Sequence, residues 1–305
     1  MKIYKISKLL LIVYFLNLAS SFGQEQDKLL SEAYKQKSIS KLNRFFKIWE
    51  KDIIPLSQNE FENLNASSKE AYRVFKEFYN PINLSAIGGS EFGNDIYKNA
   101  SYFVVQDHLN IYQQKKVYYT SVEEKEFAIN QSKIVNVSDS LKNVLQKAIQ
   151  NAPLGSAILQ SYGPNSPTQE FEKPELLGKI DNFRPDVGSL FKKQLILTLK
   201  YKTLISKFLG NEYHKSSDNL MSTAKASGVS KSKLQFIEQK IKIFPSHWGE
   251  TWLINTFPEV TSIAFDQSFN YAKIKYTIVY QGGQAILKKE KGIWKLVSAE
   301  LTSIQ

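Results

Sequence analysis

The chain has 305 residues, of which 42% are hydrophobic and 23% charged, and it contains no cysteine. This composition is typical of a globular protein and excludes collagen-like, coiled-coil and wholly disordered chains. The absence of cysteine excludes disulfides, thiolate nucleophiles, cysteine-ligated zinc and iron–sulfur clusters. With 40 lysines and arginines against 29 acidic residues, the net charge is +11, which favours partners of negative charge.

The first 23 residues have the pattern of a secretory signal peptide. Three lysines within the first eight residues precede an apolar run at 9–16, and small residues at positions 21 and 23 precede a cut between Gly23 and Gln24. The run is too short to span a bilayer, which takes about 20 apolar residues. We therefore expect a soluble protein exported to the periplasm or the cell exterior, with no transmembrane segment after cleavage near Gly23.

The positive charge is carried mostly by lysine. Without residues 1–23 the chain keeps 37 basic and 29 acidic residues, a net charge of +8, and only Arg44, Arg73 and Arg184 are arginines. Proteins that read nucleic acid depend on arginine, whose planar guanidinium pairs with guanine and phosphate. Scattered lysines instead predict a solvated surface that favours anionic lipid or polysaccharide. We expect no nucleic-acid partner; the candidate ligands are a small molecule and an anionic envelope polysaccharide.

The N-terminal part is predicted to combine helices with short strands. Residues 26–54 have helical periodicity with a break at 36–38, where Ser38 or Ser40 can cap the second helix. The aromatic residues of this second helix fall on one face, which predicts core packing. Downstream, the sequence predicts a helix at 67–79, short antiparallel strands at 102–105, 109–113 and 117–120, and a helix at 141–149 capped by Ser140.

The C-terminal part is predicted to hold two helices and a β-meander. One helix covers 199–209, between Thr198 as its cap and Gly210, and another lies near 230–241. Strand-like segments separated by very short connections follow, and such connections require antiparallel neighbours. These strands are predicted at 251–257, 260–266, 271–280, 284–290 and 293–301, with turns at Gly282-Gly283 and Lys291-Gly292.

The distribution of proline and glycine indicates how the chain is divided. Both residues are frequent at 151–178, which is typical of a linker. The predicted organisation is a signal peptide at 1–23, a helical and short-strand region at 24–150, a linker-like segment at 151–178 and an α+β region at 179–305. We therefore expect an α+β fold with N-terminal helices and curved antiparallel sheets.

The meander resembles the closing strands of NTF2-like (SnoaL-like, cystatin-like) domains over roughly the last fifty residues. The motifs that carry this resemblance are Phe265-Asp266, Ala272-Lys273-Ile274, Lys288-Lys289 and the Gly-Ile-Trp-Lys-Leu-Val run at 292–297. Together with His247-Trp248-Gly249, the tail also resembles a family of exported bacterial proteins of unknown function. The resemblance implies a curved sheet wrapped around helices, and it implies no activity.

One feature departs from the NTF2-like pattern, in which the opening helices lie shortly before the sheet. Here the aromatic helices at 39–79 lie far upstream of the meander. Either the intervening strands belong to another module, or the helices within 199–241 are the ones that pack against the sheet.

The sequence lacks the residue spacings of common catalytic and metal sites. His108, His214 and His247 are the only histidines, and no two of them have the spacing of a metal site. There is no Gly-x-Ser-x-Gly, no Walker A loop and no Gly-x-Gly-x-x-Gly. We therefore expect no metal site and no cofactor.

The segment 245–252 is the strongest candidate site. His247, Trp248, Glu250 and Trp252 lie within it, and Asp266 follows in the meander. Aromatic and polar side chains together are typical of a ligand pocket, whereas tryptophans packed in a core are the alternative. Two functions remain open. The first is a non-catalytic envelope or ligand-binding protein, and the second is an NTF2-like isomerase, dehydratase or hydrolase that uses His247 with Glu250 or Asp266.

Overall fold

The computed structural model describes residues 25–93, 95–114, 121–152, 156–162, 174–187, 192–210, 228–246 and 252–304. Helices and sheets are both present, so the α+β class predicted from the sequence is confirmed. Several predictions fall outside the described residues. These are the signal peptide, the strand at 117–120, and the candidate site residues His247, Trp248 and Glu250.

The helices follow the sequence periodicity closely. Nine α-helices lie in the described part of the chain, together with two 3₁₀ helices at Leu84–Ile87 and Ser90–Phe92. The α-helices are α1 at 25–35, α2 (Ile39–Asp52), α3 (Gln58–Glu62), α4 (Ala66–Phe78), α5 (Ser121–Ser132), α6 (Asp139–Asn151), α7 (Ala157–Tyr162), α8 (Leu199–Leu209) and α9 (Gly228–Ile237). Among the residues described, no helix has the length and apolar character needed to cross a membrane.

The strands form one large sheet and two small ones. They are β1 (Tyr102–Gln106), β2 (Leu109–Gln113), β3 (Glu175–Ile180), β4 (Lys193–Leu197), β5 (Phe244–Pro245), β6 (Trp252–Leu253), β7 (Glu259–Phe265), β8 (Tyr271–Ile278), β9 (Gln281–Glu290) and β10 (Ile293–Ile304). The large sheet has the order β10-β9-β8-β7-β2-β3, and β1 pairs with β4 and β5 with β6.

The chain divides into two compact units, each made of discontinuous stretches. Unit 1 comprises residues 1–54, 100–104 and 193–254, and unit 2 comprises 55–99, 105–192 and 255–305. These limits do not follow the predicted boundaries at 150 and 179. The sequence pattern is local, whereas the units are defined by contacts between segments far apart in the chain.

Unit 1 is a helical unit with an aromatic core. As predicted, a turn at 36–38 separates α1 from α2, and the Ser38 hydroxyl accepts a hydrogen bond from the Lys41 N–H at 3.3 Å. The α2 helix buries one face, which holds Leu42, Phe45, Phe46 and Trp49. The Trp49 ring stacks on Tyr201 of α8 with centroids 4.4 Å apart, and its indole N–H donates to the Ile196 carbonyl at 2.9 Å.

Unit 2 contains the predicted meander. Strands β7 to β10 pair in chain order, each antiparallel to the next. The residues Ala272, Ile274, Tyr276 and Ile278 of β8 are buried on one face, as the alternation predicts. The turn at Lys291-Gly292 is also confirmed. Helix α4 packs against β10 in the same unit, through the Trp294 N–H that donates to Glu70.

The predicted turn at Gly282-Gly283 is wrong, because both glycines lie inside β9. The chain reverses instead at Val279 and Tyr280, where Val279 has a left-handed backbone with φ of +55°. Gly283 lies opposite Tyr276 in the sheet, and a Cβ at this position would overlap the Tyr276 ring. Glycine is therefore required here for close approach of a ring, and not for a turn.

The predicted pairing of the first strands is also wrong. We expected β1 and β2 to share an antiparallel sheet, but β1 pairs with β4, and β2 pairs in parallel with β7. Parallel neighbours need a long connection, and the chain between β2 and β7 provides one. The curved sheet is therefore mixed, with β3 antiparallel to β2 at its edge.

One smaller prediction, the cap of α6, needs correction. The cap of α6 is Ser138, whose hydroxyl accepts from the Leu141 N–H at 3.4 Å, and not Ser140. The linker-like segment 151–178 contains α7 and the start of β3. Helix α7 is held in place because Leu159 joins a small buried cluster with residues of α5 and α6.

Candidate functional site

Trp252 of the predicted site is a buried residue of unit 1. Its side chain is part of the unit 1 core, and its indole N–H donates to the Gly210 carbonyl at 2.9 Å. This carbonyl belongs to the residue that ends α8. The geometry is that of a core anchor that also satisfies a helix end.

Asp266 lies in the turn between β7 and β8 of unit 2. One carboxylate oxygen accepts from the backbone N–H groups of Asn270 and Tyr271 at 2.7 and 2.9 Å, and the other accepts from the Ser268 hydroxyl. These bonds hold a tight turn in which Phe269 has a φ of +55°. Asp266 belongs to unit 2 and Trp252 to unit 1, and their proposed partner His247 lies outside the described residues.

The remaining acid–base candidates are sparse. His108 Nδ1 lies 3.2 Å from an Asp107 carboxylate oxygen, and half of the histidine side chain is exposed. This is a partly exposed polar pair on neighbouring residues. Among the residues that the structure describes, no three histidine, aspartate or glutamate side chains are grouped so that they could hold a metal ion.

The division into units reveals an uneven distribution of charge. Without residues 1–23, unit 1 has 17 basic and 9 acidic residues, whereas unit 2 has 20 of each. The whole net charge of +8 outside the predicted signal peptide therefore belongs to unit 1. Unit 1 is consequently the part of the molecule that attracts anions.

The described acids of unit 1 are mostly neutralised by lysines on other segments. Of the six carboxylates that the structure describes in unit 1, all but Glu25 form an ion pair. These pairs are Asp27–Lys207 (2.5 Å), Glu32–Lys41 (2.6 Å), Glu50–Lys193 (2.9 Å), Asp52–Lys200 (2.7 Å) and Glu238–Lys242 (2.5 Å). The hydrogen bond from Lys41 lowers the pKa of Glu32, and the bond to Glu50 raises the pKa of Lys193. The other described basic groups of unit 1 form no ion pair with a described carboxylate of this unit.

Three of these uncompensated groups form a line on α2, which we call the basic stripe: Arg44, Lys47 and Lys51. All three are exposed and lie opposite the aromatic face of the helix. Steps of three and four residues place them within about 60° of one another around the helix axis. No carboxylate among the described residues pairs with any of them.

The basic stripe borders an open depression of about 460 Å³ on the protein surface. The described residues that complete its lining are Ser40, Asn43 and Ile48. Ser40 and Asn43 supply neutral hydrogen-bonding groups, and Ile48 supplies a small apolar surface. The depression contains no carboxylate or histidine among these residues. The described lining therefore offers groups that bind anions and hydroxyls.

The sequence itself carries a signal for the basic stripe. Positions 44, 47 and 51 all lie in the predicted helix, opposite to its aromatic residues. The acids of the same helix, Glu50 and Asp52, are close in sequence and would be expected to neutralise the stripe. In the structure, Glu50 instead pairs with Lys193 and Asp52 pairs with Lys200, and both lysines lie nearly 150 positions away in the chain.

Comparison of the chain with protein-family models, with curated proteins and with solved structures gives no match in any of the three searches. A functional proposal therefore depends on the residues of this chain alone. The features available are the charge of unit 1, the internal pairing of its acids and the basic stripe on α2.

Proposed function

We propose that this protein is an exported, non-catalytic binding protein that holds an anionic polysaccharide on the basic stripe of α2. The observation that carries the proposal is that unit 1 has all the net positive charge, while the acids of α2, Glu50 and Asp52, pair with lysines outside the basic stripe. Uncompensated cations along one helix attract a polyanion, and the helix backbone that carries them is already ordered before the ligand binds.

A polysaccharide fits the surface better than a membrane does. A helix that binds at a bilayer surface places its apolar face in the lipid. The apolar face of α2 is occupied, because Phe45, Phe46 and Trp49 are fully buried in the core. The exposed side of α2 carries instead Ser40 and Asn43, whose side chains can hydrogen-bond to sugar hydroxyls.

Nucleic acid fits less well for a different reason. Proteins that bind single strands stack the bases on aromatic side chains, and those that read a duplex depend strongly on arginine. The described lining of the depression holds no aromatic residue and only one arginine, Arg44. The surface therefore offers charge and hydroxyl-binding groups without a platform for bases.

The fold-level and localisation predictions belong to the same proposal. Export by a cleaved signal peptide would bring the protein into contact with envelope or extracellular polysaccharide. The NTF2-like assignment is supported by four consecutive antiparallel strands with register shifts, at Leu296/Ser298 for example, which curve a sheet. N-terminal sequencing of the protein recovered from its host tests the export step, with Gln24 as the expected first residue.

The binding proposal is tested with residues 24–305 and polygalacturonate as the probe, at low salt. We expect Arg44→Gln/Lys47→Gln/Lys51→Gln to weaken binding by about 10- to 100-fold, the sum of three exposed charge contacts. The matched control removes three exposed lysines of unit 2, in Lys76→Gln/Lys98→Gln/Lys147→Gln, and should bind like the wild type because the same total charge is lost elsewhere.

Two other probes separate the polysaccharide from its competitors. Vesicles of phosphatidylcholine with phosphatidylserine and a single-stranded oligonucleotide should both bind more weakly than polygalacturonate at equal charge concentration. Equal loss of binding in the stripe and control variants, or preference for either competitor, would contradict the proposal.

A further inference from the structure

We infer that the basic stripe selects a polysaccharide with a carboxylate on every successive sugar, in preference to one with a carboxylate on every second sugar. This inference rests on the proposed function and adds the class of polymer. It comes from the spacing of the three basic residues along α2 and from the absence of carboxylates in the described lining of the depression.

The cations form a ladder of short, similar steps. Arg44 and Lys47 are three residues apart and Lys47 and Lys51 are four apart, which gives rises of about 4.5 and 6 Å along the helix axis. These steps are each about the length of one sugar ring. The whole stripe therefore covers three consecutive sugars, with one cation at each.

A polymer with alternating charge does not match this ladder. Its carboxylates would lie two sugars apart, so Arg44 and Lys51 could each reach one while Lys47 faced a neutral sugar. Lys47 is therefore the position that distinguishes the two classes of polymer. The neighbouring Ser40 is in line with the stripe, one further turn towards the start of α2, and offers a hydroxyl to the next sugar.

The three cations also differ in the geometry they offer. The planar guanidinium of Arg44 can bind one carboxylate through two parallel hydrogen bonds, which fixes the orientation of the end of the ligand. Lys47 and Lys51 act as point charges on flexible stems and follow the next two carboxylates. A ligand anchored at Arg44 thus presents its second carboxylate to Lys47 only if that carboxylate is on the adjacent sugar.

The test uses two oligosaccharides with the same number of carboxylates. Trigalacturonate carries three on three sugars, and a hyaluronan hexasaccharide carries three on six sugars. Each competes against labelled polygalacturonate for residues 24–305. We expect trigalacturonate to bind about two- to fivefold more tightly, the gain from one additional exposed charge contact.

Variants of single lysines give the decisive result. Lys47→Gln should reduce trigalacturonate binding to the level of the hexasaccharide and leave the hexasaccharide unchanged. The matched control is Lys202→Gln, an exposed lysine of α8 in the same unit, which should preserve the preference. Equal affinity of the wild type for both ligands, or equal effects of Lys47→Gln on both, would overturn the spacing inference.

The experiments distinguish a failure of the spacing inference from a failure of the proposed binding function. If polygalacturonate binds through the stripe but the two oligosaccharides are not distinguished, the binding function stands and the spacing inference is wrong. If polygalacturonate does not bind, or binds equally after removal of the stripe, the proposed function and the inference are both wrong.

Discussion

The two units use similar side chains in opposite ways. Unit 2 has equal numbers of acidic and basic residues. Some of its charged side chains are buried, such as Glu70 of α4, which accepts hydrogen bonds from three donors. In unit 1, five of the six described carboxylates pair with lysines near the surface, and the unit keeps a net charge of +8 outside the predicted signal peptide. A charge excess in the whole chain can therefore originate in one part of the molecule, and only that part is a candidate for binding an anion.

Glu70 shows how unit 2 holds its charges. Its carboxylate accepts from the Trp294 indole at 2.7 Å, and pairs with Lys289 at 2.8 Å and Arg73 at 2.6 Å. Burial opposes ionisation of Glu70, but the bonds from Lys289, Trp294 and Arg73 outweigh it and lower the pKa. This cluster links α4 to β9 and β10 and leaves the carboxylate no free position for chemistry.

The largest effect on stability is expected from removal of β10. Truncation after Gly292 deletes Trp294, which is 2% exposed, and removes the partner strand of β9. A buried aromatic side chain contributes about 1.5–3 kcal/mol, and a domain is stable by only about 5–15 kcal/mol. We expect unit 2 to lose its cooperative thermal transition, and a truncated protein with an unchanged melting temperature would show that the meander is not core. Leu296 and Val297 are 37% and 47% exposed and add little to this loss.

The next largest loss of stability is expected when a buried carboxylate is replaced, and replacement of a surface carboxylate serves as the comparison. Glu70→Gln weakens three charge-assisted bonds and leaves Lys289 without its counter-ion, so we expect a loss of about 2–4 kcal/mol in the free energy of unfolding. Glu32→Gln removes an exposed pair with Lys41 in unit 1 and should change stability little. Urea unfolding of both variants measures the difference. Equal losses would mean that the two units do not treat their carboxylates differently.

The pH dependence of the unfolding free energy provides a third comparison. Because the pKa of Glu70 is lower in the folded protein than its usual value of 4.5, the charged form stabilises the fold above that value. This stabilisation is lost as the pH falls below 4.5 towards the folded pKa. The gap in unfolding free energy between wild type and Glu70→Gln should therefore shrink between pH 5 and pH 3, measured by urea unfolding at each pH. A gap that is constant or widens would mean that Glu70 acts through packing alone.

The smallest effect is expected from the basic stripe itself. Arg44, Lys47 and Lys51 have no described partner, and glutamine retains helix propensity, so the triple glutamine variant should unfold within about 0.5 kcal/mol of the wild type. Thermal and urea unfolding of this variant provide the measurement. A marked destabilisation would show that the stripe supports the fold, and the contrast between a binding unit 1 and a neutral unit 2 would then fail.

Local features of the fold were predictable, because periodicity and capping depend on neighbouring residues. The limits of α2, α4 and α8 agree with the predicted helices to within a few residues, and the meander follows from its short connections. The pairing of β2 with β7 was not predictable in this way. It depends on contacts across about 150 residues.

The candidate site shows the same division. The sequence by itself determined the positive charge, the helix at 39–52 and the alignment of Arg44, Lys47 and Lys51 on the side opposite to the aromatic residues. Only the tertiary structure decided that Glu50 forms an ion pair with Lys193 and Asp52 with Lys200. It also decided that the excess positive charge belongs to one of the two units. The physical reason is that a helix fixes which residues share a face, whereas the partner of a charged side chain depends on which distant segment folds against it.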